Sequence, residues 1–321
     1  MELCVELSYS TMLDDAKLDE IAAQGVTAIS APFDFVESSP VDVLKNRAAA
    51  LASRGIKTLT AHPRFGLYNS DNSLVNQYVS QRKFYIEQLK DGFERMAILG
   101  VKTAPLHTGG SCLPDSPEWA LELCAESVAG VLPLAEKTGI IIALENTFFN
   151  SPQRWDGGIG ISGRPPETSE AVYDDIRKLC RLIDGFSSPY VMGCYDVGHA
   201  HYLGDVVADH KMMGDRIYLY HLHDNNTARD SHMPPGYGTL DWDVFGDVIT
   251  ANSSEYVAYI EAAPWTPGKY GLMIRETAAL LSGRNASCDD ATIGARVNEY
   301  RRCKKCGHLI LTDADDEFCG C

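Results

Sequence analysis

The feature that most constrains the fold of this chain is an alternation of short apolar runs with longer amphipathic segments. The apolar runs predict strands at 4–9, 26–30, 56–61, 101–106, 140–144, 190–195, 217–220 and 256–260. The amphipathic segments predict helices at 17–24, 41–54, 75–99, 117–138, 169–184, 243–251 and 270–282. Alternating strands and helices indicate a parallel sheet, and eight such strands favour an α/β fold closed as a (β/α)8 TIM barrel.

An open, doubly wound sheet is the competing architecture. No Gly-x-Gly-x-x-Gly follows the first predicted strand, which disfavours the dinucleotide-binding version of that fold. After residue 282 the composition changes. We therefore expect a barrel over 1–282, a linker over 283–300 and a short cysteine-bearing tail over 301–321.

Composition excludes several classes of function. The formal net charge of −16 gives no basic footprint for nucleic acid. No run of about 18 apolar residues predicts a membrane span, and the first residues lack a basic segment followed by an apolar one. These observations predict a cytoplasmic protein, and its ten cysteines are then expected to be reduced thiols.

Residues that bind divalent cations follow six of the predicted strands. They are His62, His107, Glu145, Asp196 (with His199), His223 and Glu261. A single histidine at a strand end is more often structural, and Asp196 alone could cap a helix. In a parallel barrel, however, the carboxyl ends of all strands meet at one rim, so these residues are expected to converge. The sequence therefore predicts a metal site there.

The chemistry of the ligands narrows the choice of metal. Glu145, Asp196, His223 and Glu261 would provide three carboxylates and one imidazole, without a thiolate. We expect one divalent cation, with Mn²⁺ as the first choice and Zn, Co, Mg or Fe as alternatives. His221, two residues before His223, is expected to be structural or to lie behind the ligands.

Three motifs carry a resemblance to a known family. They are Leu-Glu-Asn-Thr at 144–147, Tyr-Asp-Val-Gly-His-Ala at 195–200, and His-Leu-His-Asp-Asn through Pro-Pro-Gly-Tyr-Gly-Thr-Leu-Asp-Trp at 221–242. Over about residues 1–282 the chain resembles the xylose isomerase-like barrel superfamily. This superfamily includes sugar isomerases and epimerases and the endonuclease IV-type enzymes. By resemblance to the epimerases, Glu145, Asp196, His223 and Glu261 hold one ion, and His199 and Arg229 contact substrate oxygens.

This arrangement suits proton abstraction next to a carbonyl. The reaction builds negative charge on oxygen as an enediolate, which a cation, Arg229 or protonated His199 would stabilise. Glu145 or Glu261 would take the proton and return it. We therefore predict an isomerase or epimerase acting on a small sugar or sugar derivative.

One departure from the ketose 3-epimerases concerns the segment after Glu145. Those enzymes carry a second carboxylate where this chain has Ser151. The loop 148–168, with Arg154, Trp155 and Arg164, is either a substrate lid or a solvated insertion.

Three alternative functions remain open from the sequence. His62, His107, Asp230 and His232 match additional ligands of the three-zinc endonuclease IV-type enzymes, although the −16 charge argues against duplex binding. The barrel also resembles the metal-bearing subunit of C-glycoside deglycosidases, which are lyases with a smaller partner chain. The third alternative is a barrel that binds a sugar or metal without turnover.

The tail predicts a second, structural metal. Cys303 and Cys306 form a Cys-x2-Cys-Gly motif, and Cys319 and Cys321 form a second pair. Two such pairs suit a Cys4 zinc-ribbon-like extension, with a disordered reactive tail as the alternative. Acidic residues at 313–317 make nucleic acid the least favoured partner of the tail. A homo-oligomer or a small partner subunit is compatible with the sequence.

Overall fold

The structure is a computed structural model that describes residues 2–64, 73–108, 117–150, 171–173, 175–252, 255–264, 268–282, 300–302 and 309–311. Its strands are β1 (Glu2–Glu6), β2 (Ala28–Ser30), β3 (Lys57–Thr60), β4 (Thr103–His107), β5 (Ile141–Glu145), β6 (Phe148–Asn150), β7 (Ala171–Tyr173), β8 (Val191–Asp196), β9 (Ile217–Leu222), β10 (Val257–Ile260), β11 (Tyr300–Arg302) and β12 (Leu309–Leu311).

The helices alternate with the strands. They are α1 (Tyr9–Met12), α2 (Asp15–Ala23), α3 (Phe33–Ser38), α4 (Val41–Ser53), α5 (Val79–Leu99), α6 (Pro117–Thr138), α7 (Ile176–Phe186), α8 (Val197–Leu203), α9 (Val206–Met213), α10 (Trp242–Thr250) and α11 (Tyr270–Leu281). Aspartates cap the amino ends of several of them; Asp14, for example, accepts from the backbone N–H groups of Ala16 and Lys17. No described helix has the length and hydropathy needed to span a bilayer.

Eight parallel strands close into a barrel in the order β1-β10-β9-β8-β5-β4-β3-β2. The predicted (β/α)8 fold is confirmed, and the open doubly wound sheet is excluded because β1 pairs with both β2 and β10. The glycines that follow α2, α4, α5 and α6 all have positive φ, between 70° and 82°, so the predicted helix stops use the left-handed backbone that glycine adopts without strain.

Strand parity separates two apolar layers. On β9, Tyr220 and Leu222 face outward into the core beneath the helices. Leu219 faces inward and packs with a small cluster that fills the barrel: Cys4, Ala28, Leu59, Ala143, Cys194, Val257 and Tyr259. Because side chains alternate along a strand, His221 continues the inward row of Leu219 toward the carboxyl end.

Several element boundaries differ from the prediction. The first strand ends at Glu6, because the Ser8 side chain caps α1. The helix predicted over 169–184 begins only at Ile176, where Asp175 is its cap. Residues Ala171–Tyr173 instead form a strand antiparallel to Phe148–Asn150. Two helices that were not predicted, α8 and α9, connect β8 to β9.

Parts of two predicted features lie outside the described residues. Arg154, Trp155 and Arg164 fall in 151–170, and Cys303, Cys306, Cys319 and Cys321 fall in 303–308 and 312–321. In the tail, β11 and β12 form an antiparallel pair with Tyr300 opposite Leu311. The zinc ribbon, the substrate lid and the domain boundaries therefore stay predictions.

Candidate metal centre

Three carboxylates surround the imidazole of His221 at the carboxyl end of the barrel. The Nδ1 atom of His221 lies 2.9 Å from Oε2 of Glu261, 3.5 Å from Oε2 of Glu145 and 3.6 Å from Oδ2 of Asp196. His221, Glu145 and Asp196 are buried. Asp196, His221 and Glu261 form one set with metal-ligand spacing, and Glu145 shares such sets with His221 and with Asp196.

The structure places His221, rather than His223, among these carboxylates. The sequence predicted that β9 ends before His221, but the strand continues to Leu222 and pairs His221 with Asp196 in register. His221 is therefore level with the carboxylates, and His223 lies one inward-facing position farther along. The expectation that His221 is structural or lies behind the ligands differs from this geometry.

His223 belongs to a second group, with His199, Asp230 and His232. One ligand atom from each lies within 4.8 Å of the others. Nε2 of His223 lies 3.0 Å from Oδ1 of Asp196, and its ring stacks on that of His232 at 4.0 Å. The Oδ2 atom of Asp230 lies 3.3 Å from Nε2 of His199 and 3.0 Å from Nε2 of His232.

His62 and His107 flank Glu145 on the side away from Asp196 in the strand order. Their Nε2 atoms lie 3.6 Å and 3.5 Å from Oε2 of Glu145. Nδ1 of His62 donates to the carbonyl of Pro63 at 2.9 Å, which directs Nε2 toward Glu145. Together with His221, His62 and Glu145 form another set with metal-ligand spacing.

Neighbouring imidazoles and carboxylates in the centre shift one another's pKa values toward the charged forms. Burial alone would raise the pKa of Asp196, but the imidazoles of His199 and His223 hold it well below its usual range. Glu261 is only partly buried, and contact with His221 lowers its pKa. Burial opposes the charged form of His232, yet its hydrogen bond to Asp230 raises its pKa to about 10. The carboxylates are therefore ionised at neutral pH.

The residues present fit divalent cations. Four buried side-chain atoms that could bind a metal have no hydrogen-bond partner among the described residues, and they lie in these two groups. They are Oε2 of Glu145, Nδ1 of His221, Nδ1 of His223 and Oδ1 of Asp230. Buried polar atoms are normally hydrogen-bonded, so such a cluster requires an explanation. Carboxylate and imidazole donors are ligands for divalent metals, which would satisfy these atoms.

Two residues that hold the centre in place, Asn146 and Asp224, were not predicted from the sequence. The Asn146 side chain donates to the Asp196 carbonyl and accepts from its N–H, which ties the end of β5 to that of β8. Asp224 accepts from the indole N–H of Trp242 at 2.7 Å and from the backbone N–H groups of Asn225, Gly236 and Leu240. Asn146 and Asp224 are polar residues inside the motifs at 144–147 and 221–242, and this position in the sequence could have identified them.

Two further residues, His199 and Arg229, are predicted from the sequence to contact substrate oxygens. His199 has Nδ1 at 3.0 Å from the carbonyl of Asn146 and lies in the second group. Asp196 also caps α8, accepting from the His199 N–H. Arg229 is exposed on the loop after β9, next to Asp230.

Comparisons with solved structures identify related barrels. The 3-keto-D-glucoside 4-epimerase YcjR from E. coli is 16% identical, with a TM-score of 0.67 over 87% of this chain and 99% of that chain. A D-tagatose 3-epimerase-like protein is 18% identical, with a TM-score of 0.68 over 90% and 100% of the two chains. The IolI protein, solved with a bound zinc atom, is 17% identical, with a TM-score of 0.66 over 89% and 100%.

A curated relative matches a shorter stretch. The protein y4fM of Sinorhizobium fredii is 37% identical over 82 residues, which is 24% of this chain and 25% of that protein. The chain thus covers about a quarter of the length of this relative. The family model described as xylose isomerase-like TIM barrel matches residues 18–277. With that match over most of the chain and the closed eight-stranded barrel, the protein belongs to the xylose isomerase-like TIM barrel family.

Proposed function

We propose that this protein is a divalent-metal-dependent isomerase or epimerase of keto sugars. The observation that carries the proposal is the convergence of Glu145, Asp196 and Glu261 on Nδ1 of His221 at the end of the barrel where TIM-barrel active sites lie. The similar barrels, a 3-keto-D-glucoside 4-epimerase and a D-tagatose 3-epimerase-like protein, support the choice of a sugar bearing a carbonyl.

Glu145, Asp196, His221 and Glu261 would hold the cation. When bound, it supplies positive charge that stabilises the oxygen on which an enediolate develops. Glu261 is ionised, so its carboxylate would accept the proton from the carbon next to the carbonyl. Glu145, three positions round the barrel, is also ionised; it would take up a proton from solvent and deliver it from another direction, while Glu261 releases its proton to solvent. Delivery to the same carbon inverts it, and delivery to its neighbour isomerises the sugar.

Arg229 remains the proposed contact for a substrate oxygen. It is exposed on the loop that follows β9, beside the second group. Its guanidinium donates hydrogen bonds in a fixed planar geometry, which suits a pair of sugar oxygens. His199 was also predicted to contact the substrate, but its ring is held between Asn146 and Asp230.

Solvent exchange tests the proposed function without knowledge of the product. The Mn²⁺- or Zn²⁺-loaded protein is incubated with a panel of keto sugars in D2O, and proton NMR follows the hydrogen next to each carbonyl. We expect exchange with at least one sugar and a loss of about 10²-fold or more in Glu261→Gln. Glu255→Gln is the matched control, because Glu255 is exposed and lies two residues before the start of β10, at the end of the strand opposite to Glu261.

The outcome that contradicts the proposal is an absence of exchange in every keto sugar by the metal-loaded protein. Equal exchange rates for wild type and Glu261→Gln would remove Glu261 as the base. The lyase alternative predicts that exchange is accompanied by release of an aglycone, which the same spectra record.

One observation favours a second candidate, metal-assisted cleavage of a phosphodiester. His62, His107, Asp230 and His232, which match the extra ligands of the endonuclease IV-type enzymes, lie around the same carboxylates. The net charge of −16 opposes the binding of a duplex. Cleavage of DNA containing an abasic site by the fully metal-loaded protein would establish this function instead.

A further inference from the structure

We infer that Glu6, at the carboxyl end of β1, selects the substrate by accepting a hydrogen bond from a sugar hydroxyl that lies away from the carbonyl. This inference rests on the proposed function and extends it to the part of the sugar beyond the metal. Glu6 follows Cys4 of the inward-facing cluster by two residues, so its side chain also faces the inside of the barrel. Unlike Glu145 and Asp196, Glu6 is exposed.

Glu6 lies across the mouth of the barrel from Glu145. In the closed strand order, β5 is the strand diametrically opposite β1. Val5 pairs with Ile260, so Glu6 is level with Glu261 on the neighbouring strand end. The proposed metal centre occupies the ends of β5, β8, β9 and β10. The rest of a bound sugar would therefore lie over the other four strands, of which β1 is one.

Tyr259 connects Glu6 to the metal centre. Its hydroxyl donates to Oε2 of Glu6 at 3.3 Å, and its ring meets the imidazole of His221 edge-on, with the ring centres 5.2 Å apart. Tyr259 is buried, so it holds the carboxylate at a fixed place one ring away from His221. Oε1 of Glu6 accepts no hydrogen bond from the described residues, which leaves it available to a ligand.

A second polar side chain faces the same place. Ser30 pairs with Glu6 in the register of β1 and β2, and it has the inward parity of Ala28. Its Oγ atom is buried and has no hydrogen-bond partner among the described residues. Buried polar atoms are normally hydrogen-bonded, so the Ser30 hydroxyl beside Glu6 is a second indication that a polar ligand binds here.

The charge around Glu6 favours a neutral donor over an anion. Partial desolvation raises the pKa of Glu6, and the carboxylate of Glu261 raises it further. A hydroxyl that donates to Oε1 would stabilise the ionised carboxylate, because hydrogen bonds to charged groups are stronger than those between neutral groups. A phosphate would instead be repelled by Glu6 and by the nearby Asp34. We therefore expect a hydroxyl on this part of the sugar.

Kinetics with deoxy sugars test this inference. Solvent exchange by the metal-loaded, full-length protein is measured for D-tagatose, D-fructose and a 3-keto-D-glucoside, and for analogues of each that lack one hydroxyl beyond the reacting carbons. Wild type should disfavour one such analogue by about 10–100-fold in kcat/KM. In Glu6→Ala, KM for the parent sugar should rise by a similar factor with kcat nearly unchanged, because this contact is equally strong in the ground state and the transition state. The preference for the parent over that analogue should disappear.

Two further variants define the role of the carboxylate. Glu6→Gln keeps a polar group that can pair with the hydroxyl, so it should recover part of the discrimination. Glu2→Ala is the matched control, because Glu2 lies at the other end of β1 and pairs with Lys57. It should keep wild-type kinetics. A purely structural role for Glu6 would change the rates for parent and analogues equally. That result, or an unchanged KM in Glu6→Ala, overturns the inference.

Binding measurements separate this inference from the proposed function. If no sugar hydrogen exchanges, saturation-transfer NMR measures how the same sugars and analogues bind to wild type and to Glu6→Ala. Selective binding that is lost in Glu6→Ala contradicts only the proposed function. Exchange without this selectivity contradicts only the role of Glu6, and a protein that binds none of these sugars contradicts both.

Discussion

At the scale of the residue, a separation of two positions along one strand decides the role of a histidine. His221 lies on β9 and His223 follows two residues later, just beyond the end of the strand at Leu222, so the alternation of side chains directs both toward the inside of the barrel. The register pairs His221 with Asp196, and the turn after Leu222 carries His223 toward Asp230. The depth of each depends on where the strand ends, and that is set by hydrogen bonding to β8 and β10.

Asp224 has a structural role, which leads to a prediction about stability. Its buried carboxylate accepts four hydrogen bonds, including one from the Trp242 indole. In Asp224→Asn, one carboxylate oxygen is replaced by an NH2 group that faces N–H donors, and the negative charge is lost. We therefore expect the free energy of unfolding to fall by about 2–4 kcal/mol. Urea denaturation of the metal-free protein measures the change.

Asp241→Asn is the control for this substitution. Asp241 is exposed and caps α10 by accepting from the Val244 N–H. Asparagine caps helices about as well as aspartate, so a change of only a few tenths of a kcal/mol is expected. Similar losses in both variants would show that the hydrogen bonds of Asp224 contribute little.

At the scale of the element, α9 is fixed against β9 by a histidine outside the metal centre. Nε2 of His210 lies 2.7 Å from the Tyr220 hydroxyl, and its ring meets Tyr195 edge-on. This contact packs α9 against the outward face of β9, and the inward face of the same strand carries His221. The packing of the helix therefore supports the position of the strand end.

The pKa of His210 predicts a pH-dependent contribution to stability. Burial lowers this pKa from 6.5 to about 4. Because the folded protein binds the proton less readily than the unfolded chain, the contribution is full above pH 6.5 and is lost as the pH falls toward 4. Metal-free wild type should lose free energy of unfolding between pH 7 and 4.5. We expect this loss to be about 2 kcal/mol smaller in His210→Gln, which has no imidazole to protonate.

Urea titrations of both proteins at the two pH values provide the measurement. Carboxylates protonate in both proteins, so their contribution cancels in the difference. Equal losses of stability in wild type and His210→Gln would contradict the assignment to His210.

At the scale of the whole molecule, closure of the barrel assembles residues from 62 to 261 into one centre. The interior beneath is filled by apolar side chains and buried thiols, with burial raising the pKa values of Cys4 and Cys194 well above their usual range. These thiols are protonated and inert packing residues rather than ligands. The centre thus lies between an apolar floor and the loops at the carboxyl ends of the strands.

Removal of metal should destabilise the whole barrel, since an ion that binds only the folded chain stabilises it by mass action. At a free metal concentration of 100 times Kd, the gain is about 2.7 kcal/mol. For a chain of this size we expect the melting temperature to rise by several degrees on loading with Mn²⁺ or Zn²⁺. Differential scanning calorimetry of stripped and reloaded protein measures this, and an unchanged melting temperature would contradict a site that is formed by folding.

The sequence by itself determined the barrel and most members of the centre. Period-two apolar runs, glycine stops and polar strand ends are local signals, and closure of a parallel barrel necessarily brings strand ends together. Glu145, Asp196 and Glu261 therefore all approach Nδ1 of His221 at the carboxyl end of the barrel. Only the tertiary structure decided that His221 approaches all three carboxylates, and that His223 lies between Asp196 and Asp230 in the space left by Gly198. The physical reason is that the register and end of a strand depend on its neighbours, which the residues of β9 alone do not specify.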